Sequence, residues 1–114
     1  MSKHESEVLF KIVLDENKIP EKITWQATDA GMDQEEAGHA VFISVFEPQT
    51  SSALRMDLWI KDFPADEMKK FFFQIYQGMA DTFERAIGDE EMAQDMRDFA
   101  RYFGERQQVI KAKK

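Results

Sequence analysis

The chain of 114 residues contains no cysteine, which excludes disulfides, thiolate metal sites and thiol nucleophiles. That absence fits a reducing compartment. Histidine is almost as scarce: only His4 and His39 occur, with no HExxH pair and no cluster, so a zinc set of three or four ligands has no source. A lone His39 at a strand start, even with Glu35 or Glu36 nearby, reads as a surface or capping residue. No apolar run approaches the roughly 18–20 residues of a membrane helix, so no membrane insertion is expected. MSKHESEV carries no apolar segment of the kind a secretory signal needs, and the expectation is a cytoplasmic protein.

Nucleotide and nucleophile motifs are missing too. Neither GxxxxGK(S/T) nor GxGxxG is present to cradle a phosphate, and no GxSxG surrounds a serine. Ser44 lies between apolar strand neighbours, while Ser51 and Ser52 are turn residues. The run Asp29-Ala-Gly-Met-Asp33-Gln-Glu35-Glu36 fails as a calcium loop because Gly31 stands where the second ligand belongs. Carboxylate pairs such as Asp57 and Asp62 are expected by chance among 22 acids, and nothing in the sequence promises an enclosing pocket. No cofactor, no metal and no catalytic residue is therefore expected.

Basic charge is lacking in one long stretch. No Lys or Arg lies between Lys22 and Arg55, whereas Asp29, Asp33, Glu35, Glu36 and Glu47 do. Most of the net charge of −7 comes from residues 1–57, which hold five basic against eleven acidic side chains. Nucleic acid is excluded as a partner by repulsion. The acidic segment reads either as a solvated loop or as a docking face for a basic protein, with Glu35 and Glu36 at its centre.

What is present is a globular pattern. Apolar residues make up 43% and there are ten Phe, enough for one domain of common size. Val8, Phe10, Ile12 and Leu14 alternate, as do Ile23, Trp25 and Ala27, the period of half-buried strands. DAGMDQEEAG interrupts, with room for a helical turn around Asp33 to Glu36. HAVFISVFE is apolar on both faces and ALRMDLWIK alternates again, so these two predict an antiparallel hairpin.

From Pro64 the period changes. Met68, Phe71, Phe72, Ile75, Tyr76, Met79, Phe83, Ala86 and Ile87 share one face of a helix about 36 Å long. Asp66 and Glu67 suit its N-terminus, Asp62 is a candidate cap, and Asp66–Lys70 is a candidate i,i+4 pair. Gly88 and Asp89 are a natural stop and start, and Met92, Met96, Phe99 and Phe103 repeat the stripe. These aromatic and methionine stripes read as core packing before they read as a hydrophobic ligand pocket. Phe73 and Tyr102 fall off the stripes and are candidate partner contacts or loop-packing residues.

The expected fold is α+β: a single domain over 1–114, with a four-stranded, mostly antiparallel sheet at about 7–61. An antiparallel helical hairpin follows at about 64–87 and 89–107, packed on one sheet face, with mobile tails at 1–6 and 110–114. The uncovered sheet face would then carry Leu9, Val13 and Trp59, more apolar surface than monomers usually expose. A homodimer or a protein-partner interface is expected there, with Leu9, Val13, Trp59, Glu35, Glu36 and Phe73 as candidate contacts.

Four segments also carry a resemblance. LDENKIPEKITWQATDAG, LRMDLWIKDFPADEMKKFF, MADTFERA and MRDFARYF resemble the gliding motility-associated protein GldC family of the Bacteroidetes, over roughly residues 7–107. The resemblance implies a small cytoplasmic accessory protein of the gliding machinery, with no assigned catalysis and no site residues to transfer. It leaves two molecular readings: a non-enzymatic interaction protein, or a small hydrophobic-ligand-binding domain using a helix/sheet cleft.

Overall fold

The computed structural model describes residues 3–32 and 34–112, and the chain divides into two compact units, Met1–Phe63 and Pro64–Lys114. The first unit is β-structure. Strands β1 (Val8–Leu14), β2 (Pro20–Ala27) and β3 (Glu36–Gly38) form an antiparallel sheet in that order. Strands β4 (Ala40–Glu47) and β5 (Ser52–Trp59) form a separate antiparallel ribbon.

The single four-stranded sheet expected from the sequence is thus corrected to five strands in two sheets. The reason lies in DAGMDQEEAG. Asp33 falls outside the described residues, but Gln34 and Glu35 are not helical and Glu36 already opens β3. This short strand occupies the free edge of β2, and the chain bends at His39 before β4 begins. The bond from the Ile60 N–H to the His39 carbonyl continues the β4–β5 pairing, and that from the Lys61 N–H to the carbonyl of Pro20 in β2 joins the ribbon to the first sheet, each at 2.9 Å.

Within each sheet the alternation holds. Phe10 lies opposite Trp25 and Ile12 opposite Ile23, so the expected apolar faces of β1 and β2 coincide. The Phe10 and Trp25 rings stack at 6.3 Å, and Ile23 is the large side chain fully buried there. In the ribbon, Val41, Ile43 and Val45 face Leu58, Met56 and Leu54, giving one wholly apolar face.

The second unit is the expected helical hairpin, α1 (Ala65–Ile87) and α2 (Glu90–Arg106). Gly88 closes α1 in the left-handed conformation, φ 82°, where a side chain would be strained. The Asp89 carboxylate accepts the Met92 N–H at 2.9 Å and starts α2. Details at the other end differ from expectation. Pro64 stands at the N-cap rather than inside α1, no side chain caps it, and Lys70 pairs with Glu67 rather than Asp66.

The most buried residues of the helix pair are its smallest. Ala80, Ala93 and Ala100 are buried completely or nearly so, and Gly104 is buried with them. These small side chains let the two backbones approach, and Phe73 crosses from α1 to cover Gly104. The large apolar side chains are displaced to one flank, where Tyr76 meets Phe99 and Phe103 edge-on at 5.2 and 5.1 Å. On the opposite flank Arg97 bridges Asp81 at 2.9 Å and Glu84 at 2.8 Å.

Gly104 is the tightest point of this arrangement. A methyl added there would lie 2.7 Å from Phe73 Cε1 and 2.9 Å from Cδ1. Helix propensity would favour alanine by about 1 kcal/mol, but overpacking against a ring costs about 1–3 kcal/mol. Gly104→Ala is therefore expected to lower the urea-unfolding stability by about 1–2 kcal/mol, and Phe73→Leu in the same chain to recover part of that loss.

Candidate functional site

The surface carries three arrangements that could do work. The first is the face of β1 and β2 turned away from Phe10 and Trp25. Leu9 and Val13 lie on it, 50% and 47% exposed, on either side of Lys11 and opposite Gln26 and Lys22. Glu35 reaches Lys11 as an ion pair, and that bond, chiefly, holds its carboxyl below the usual range. Leu9, Val13 and Glu35 thus come together, as a mixed patch rather than a continuous apolar one. Glu36 is exposed on β3, opposite Trp25.

The second arrangement is the ribbon. Trp59 is half exposed and pairs with Ala40, on the face that also carries Phe42, Phe46, Arg55 and Asp57. Arg55 and Asp57 bond each other at 3.0 Å. The reverse, wholly apolar face is open towards the turn, with Val45, Leu54 and Met56 each more than half exposed. Trp59 therefore belongs to a different sheet from Leu9 and Val13, and the three do not share one face as expected.

Phe73 belongs elsewhere again. Its ring lies against Gly104 and it serves the hairpin's own packing. Of the acidic segment, Asp29 accepts from His4 at 2.9 Å and the Glu47 carboxylate accepts the Gln49 N–H at 3.1 Å. His39 lies edge-on to Phe63 at 6.2 Å. Among the described residues no group of three or more His, Asp or Glu could hold a metal ion, and no helix is long and apolar enough to cross a membrane.

The third arrangement, which the spacing of large residues did not reveal, is the aromatic flank of the hairpin. Met79, Met92 and Phe99 are nearly half exposed there, beside an open apolar groove of about 690 Å³ lined by Ile75, Met79, Phe83 and Met96. The signal that could have found it is Ala93, Ala100 and Gly104 at helical spacing, which marks the inner face of α2 as small.

A polar knot braces the first unit at the β1–β2 turn. The Asp15 carboxylate accepts the Asn17 and Ile19 N–H groups at 2.8 and 3.0 Å and the Lys61 ammonium at 3.0 Å. Lys61 also reaches Glu21 at 3.5 Å. Lys18 takes the left-handed conformation within this turn.

The model of the family described as gliding motility-associated protein GldC-like matches residues 20–109. The chain belongs to that family. The matched span takes in both units, from β2 through α2. No curated protein and no solved structure matches this GldC-like chain.

The knot has a defined pH dependence. The Ile19 N–H and the Lys61 ammonium hold the Asp15 carboxyl below its ordinary 3.8, and Asp15 in turn raises the Lys61 ammonium above its ordinary 10.5. The Asp15 contribution is complete above pH 3.8 and is lost as pH falls below it; that of Lys61 is complete below 10.5 and is lost above it. Asp15→Asn is expected to lower the urea midpoint at neutral pH, with the gap to the wild type closing as pH falls through 3.8.

Proposed function

We propose that this GldC-like protein is a non-enzymatic, cytoplasmic accessory protein of the gliding-motility machinery that works through protein–protein contacts. Family membership supports the association with motility. The observation that carries the molecular reading is the amount of apolar surface left open on the first unit, where Val45, Phe46, Leu54, Met56 and Trp59 are all about half exposed or more. Val45, Leu54 and Met56 lie on one face of the ribbon and Phe46 and Trp59 on the other, and aromatic side chains are enriched where interfaces form.

The two surfaces suit different parts of a partner. The ribbon offers Trp59 and Phe46 as anchors, with the Arg55–Asp57 pair between them. The Leu9–Val13 face offers two apolar contacts among Lys11, Lys22 and Glu35, and this balance suits a mixed protein surface more than the core of a homodimer. Glu36 stands on the other face of that sheet, opposite Trp25, and offers its exposed negative charge to a basic partner there.

The alternative, a hydrophobic-ligand-binding domain, draws on the apolar groove beside Met79 and Phe83. That groove is wide open, whereas a ligand site encloses most of its occupant. The interaction reading is the stronger one.

Affinity capture from the native cell tests it. The wild-type chain is expected to retain a motility protein that Trp59→Ala loses and Glu35→Lys/Glu36→Lys weakens. An identical set of captured proteins for all three chains would remove both surfaces from consideration.

A further inference from the structure

The outer surface of α2 carries a stripe at helical spacing: Asp95, Phe99, Tyr102 and Arg106 follow one another at intervals of four, three and four residues. Those intervals place all four on one face, over about 16 Å of helix. Phe99 and Tyr102 are 48% and 58% exposed, with ring centroids 5.9 Å apart. On the opposite flank of the hairpin Arg97 pairs with Asp81 and Glu84, and Asp98 with Gln94 at 2.9 Å. Asp95 and Arg106 are different. Among the described residues neither has an ion-pair or hydrogen-bond partner for its side chain.

The stripe is its own complement when reversed. Laid antiparallel on a second copy of itself, Asp95 falls opposite the partner's Arg106, Phe99 opposite the partner's Tyr102, and each relation occurs twice. A two-fold contact requires this reciprocity, in which residue i meets j and j meets i. An unrelated partner would have no reason to find acid and base at mirror-related ends of one aromatic pair.

We propose that the GldC-like chain forms a homodimer through its helical hairpin, with α2 antiparallel to its symmetry mate about an axis passing between Phe99 and Tyr102. The contact becomes the centre of a four-helix bundle, to which α1 adds Met79 and Ile87 and α2 adds Met92. The available area fits. With about 150–250 Å² for a full aromatic side chain, the open parts of these five apolar residues come to about 500 Å². A standard interface needs about 800 Å² from each partner, a little over half of it apolar, or about 450 Å². An anionic lipid surface is a poor competitor for this face, since Glu90, Glu91 and Asp95 stand along the same helix. This dimer goes beyond the partner contacts proposed above and uses no residue of the first unit, so either idea can fail without the other.

The test uses the full chain and two charge reversals at rim positions, which should leave the hairpin folded. Sedimentation equilibrium between about 1 and 100 µM, within the affinity range of interfaces this size, should give twice the 13.3 kDa chain mass for the wild type. Asp95→Arg alone and Arg106→Asp alone should each weaken association about tenfold, because each sets like charges opposite one another twice. An equimolar mixture of the two single variants should restore a heterodimer, since every reversed charge then meets its opposite, and the double variant should restore the homodimer. A wild type that stays monomeric at the highest concentration overturns the proposal. So does a dimer indifferent to both reversals, or a mixture that gives no heterodimer. Circular dichroism of each variant separates loss of association from loss of fold.

Discussion

The contact between α1 and α2 is built from the smallest side chains available, and the rest of the second unit depends on it. Ala80, Ala93, Ala100 and Gly104 leave little between the two backbones, and the large side chain that enters the seam, Phe73, does so only against Gly104. Phe99, Phe103, Tyr76 and their neighbours are therefore driven to one flank, and Arg97 with its two carboxylates holds the other. A hairpin cored by leucines would bury its own apolar surface. This one displays it.

The first unit obeys a different constraint, the shortness of β3. Three residues suffice to occupy one edge of β2, but the bend at His39 sends the chain away before a continuous sheet can form. The ribbon that follows is tied back at its base through Lys61, next to the Asp15 knot. A two-stranded ribbon has little stability of its own, so its anchoring lies at these few polar bonds and its free end stays open.

Much of this was legible before any coordinates. Alternation located four of the five strands and the correct faces of each, because a residue's side in a strand depends only on its neighbours. Gly88 and Asp89 marked the helix joint for equally local reasons. The strand at Glu36–Gly38 was not legible, since its pairing with Ile23, Thr24 and Trp25 is decided by distant residues rather than by its own composition. The candidate contacts scattered for the same reason: Trp59, Leu9 and Phe73 share exposure patterns in sequence, yet occupy the ribbon, the other sheet and the helix seam.

The two units also differ in charge, and this has a consequence for how their contacts respond to salt. Residues 1–63 hold six basic against twelve acidic side chains, whereas residues 64–114 hold nine against ten. Long-range attraction of a basic partner to the first unit is screened as the Debye length shrinks from about 10 Å at 0.1 M to about 3 Å at 1 M. The nearly neutral hairpin, whose open face is aromatic and aliphatic, has little such attraction to lose. Ionic strength thus acts far more on the net charge of the first unit than on the aromatic and aliphatic face of the hairpin.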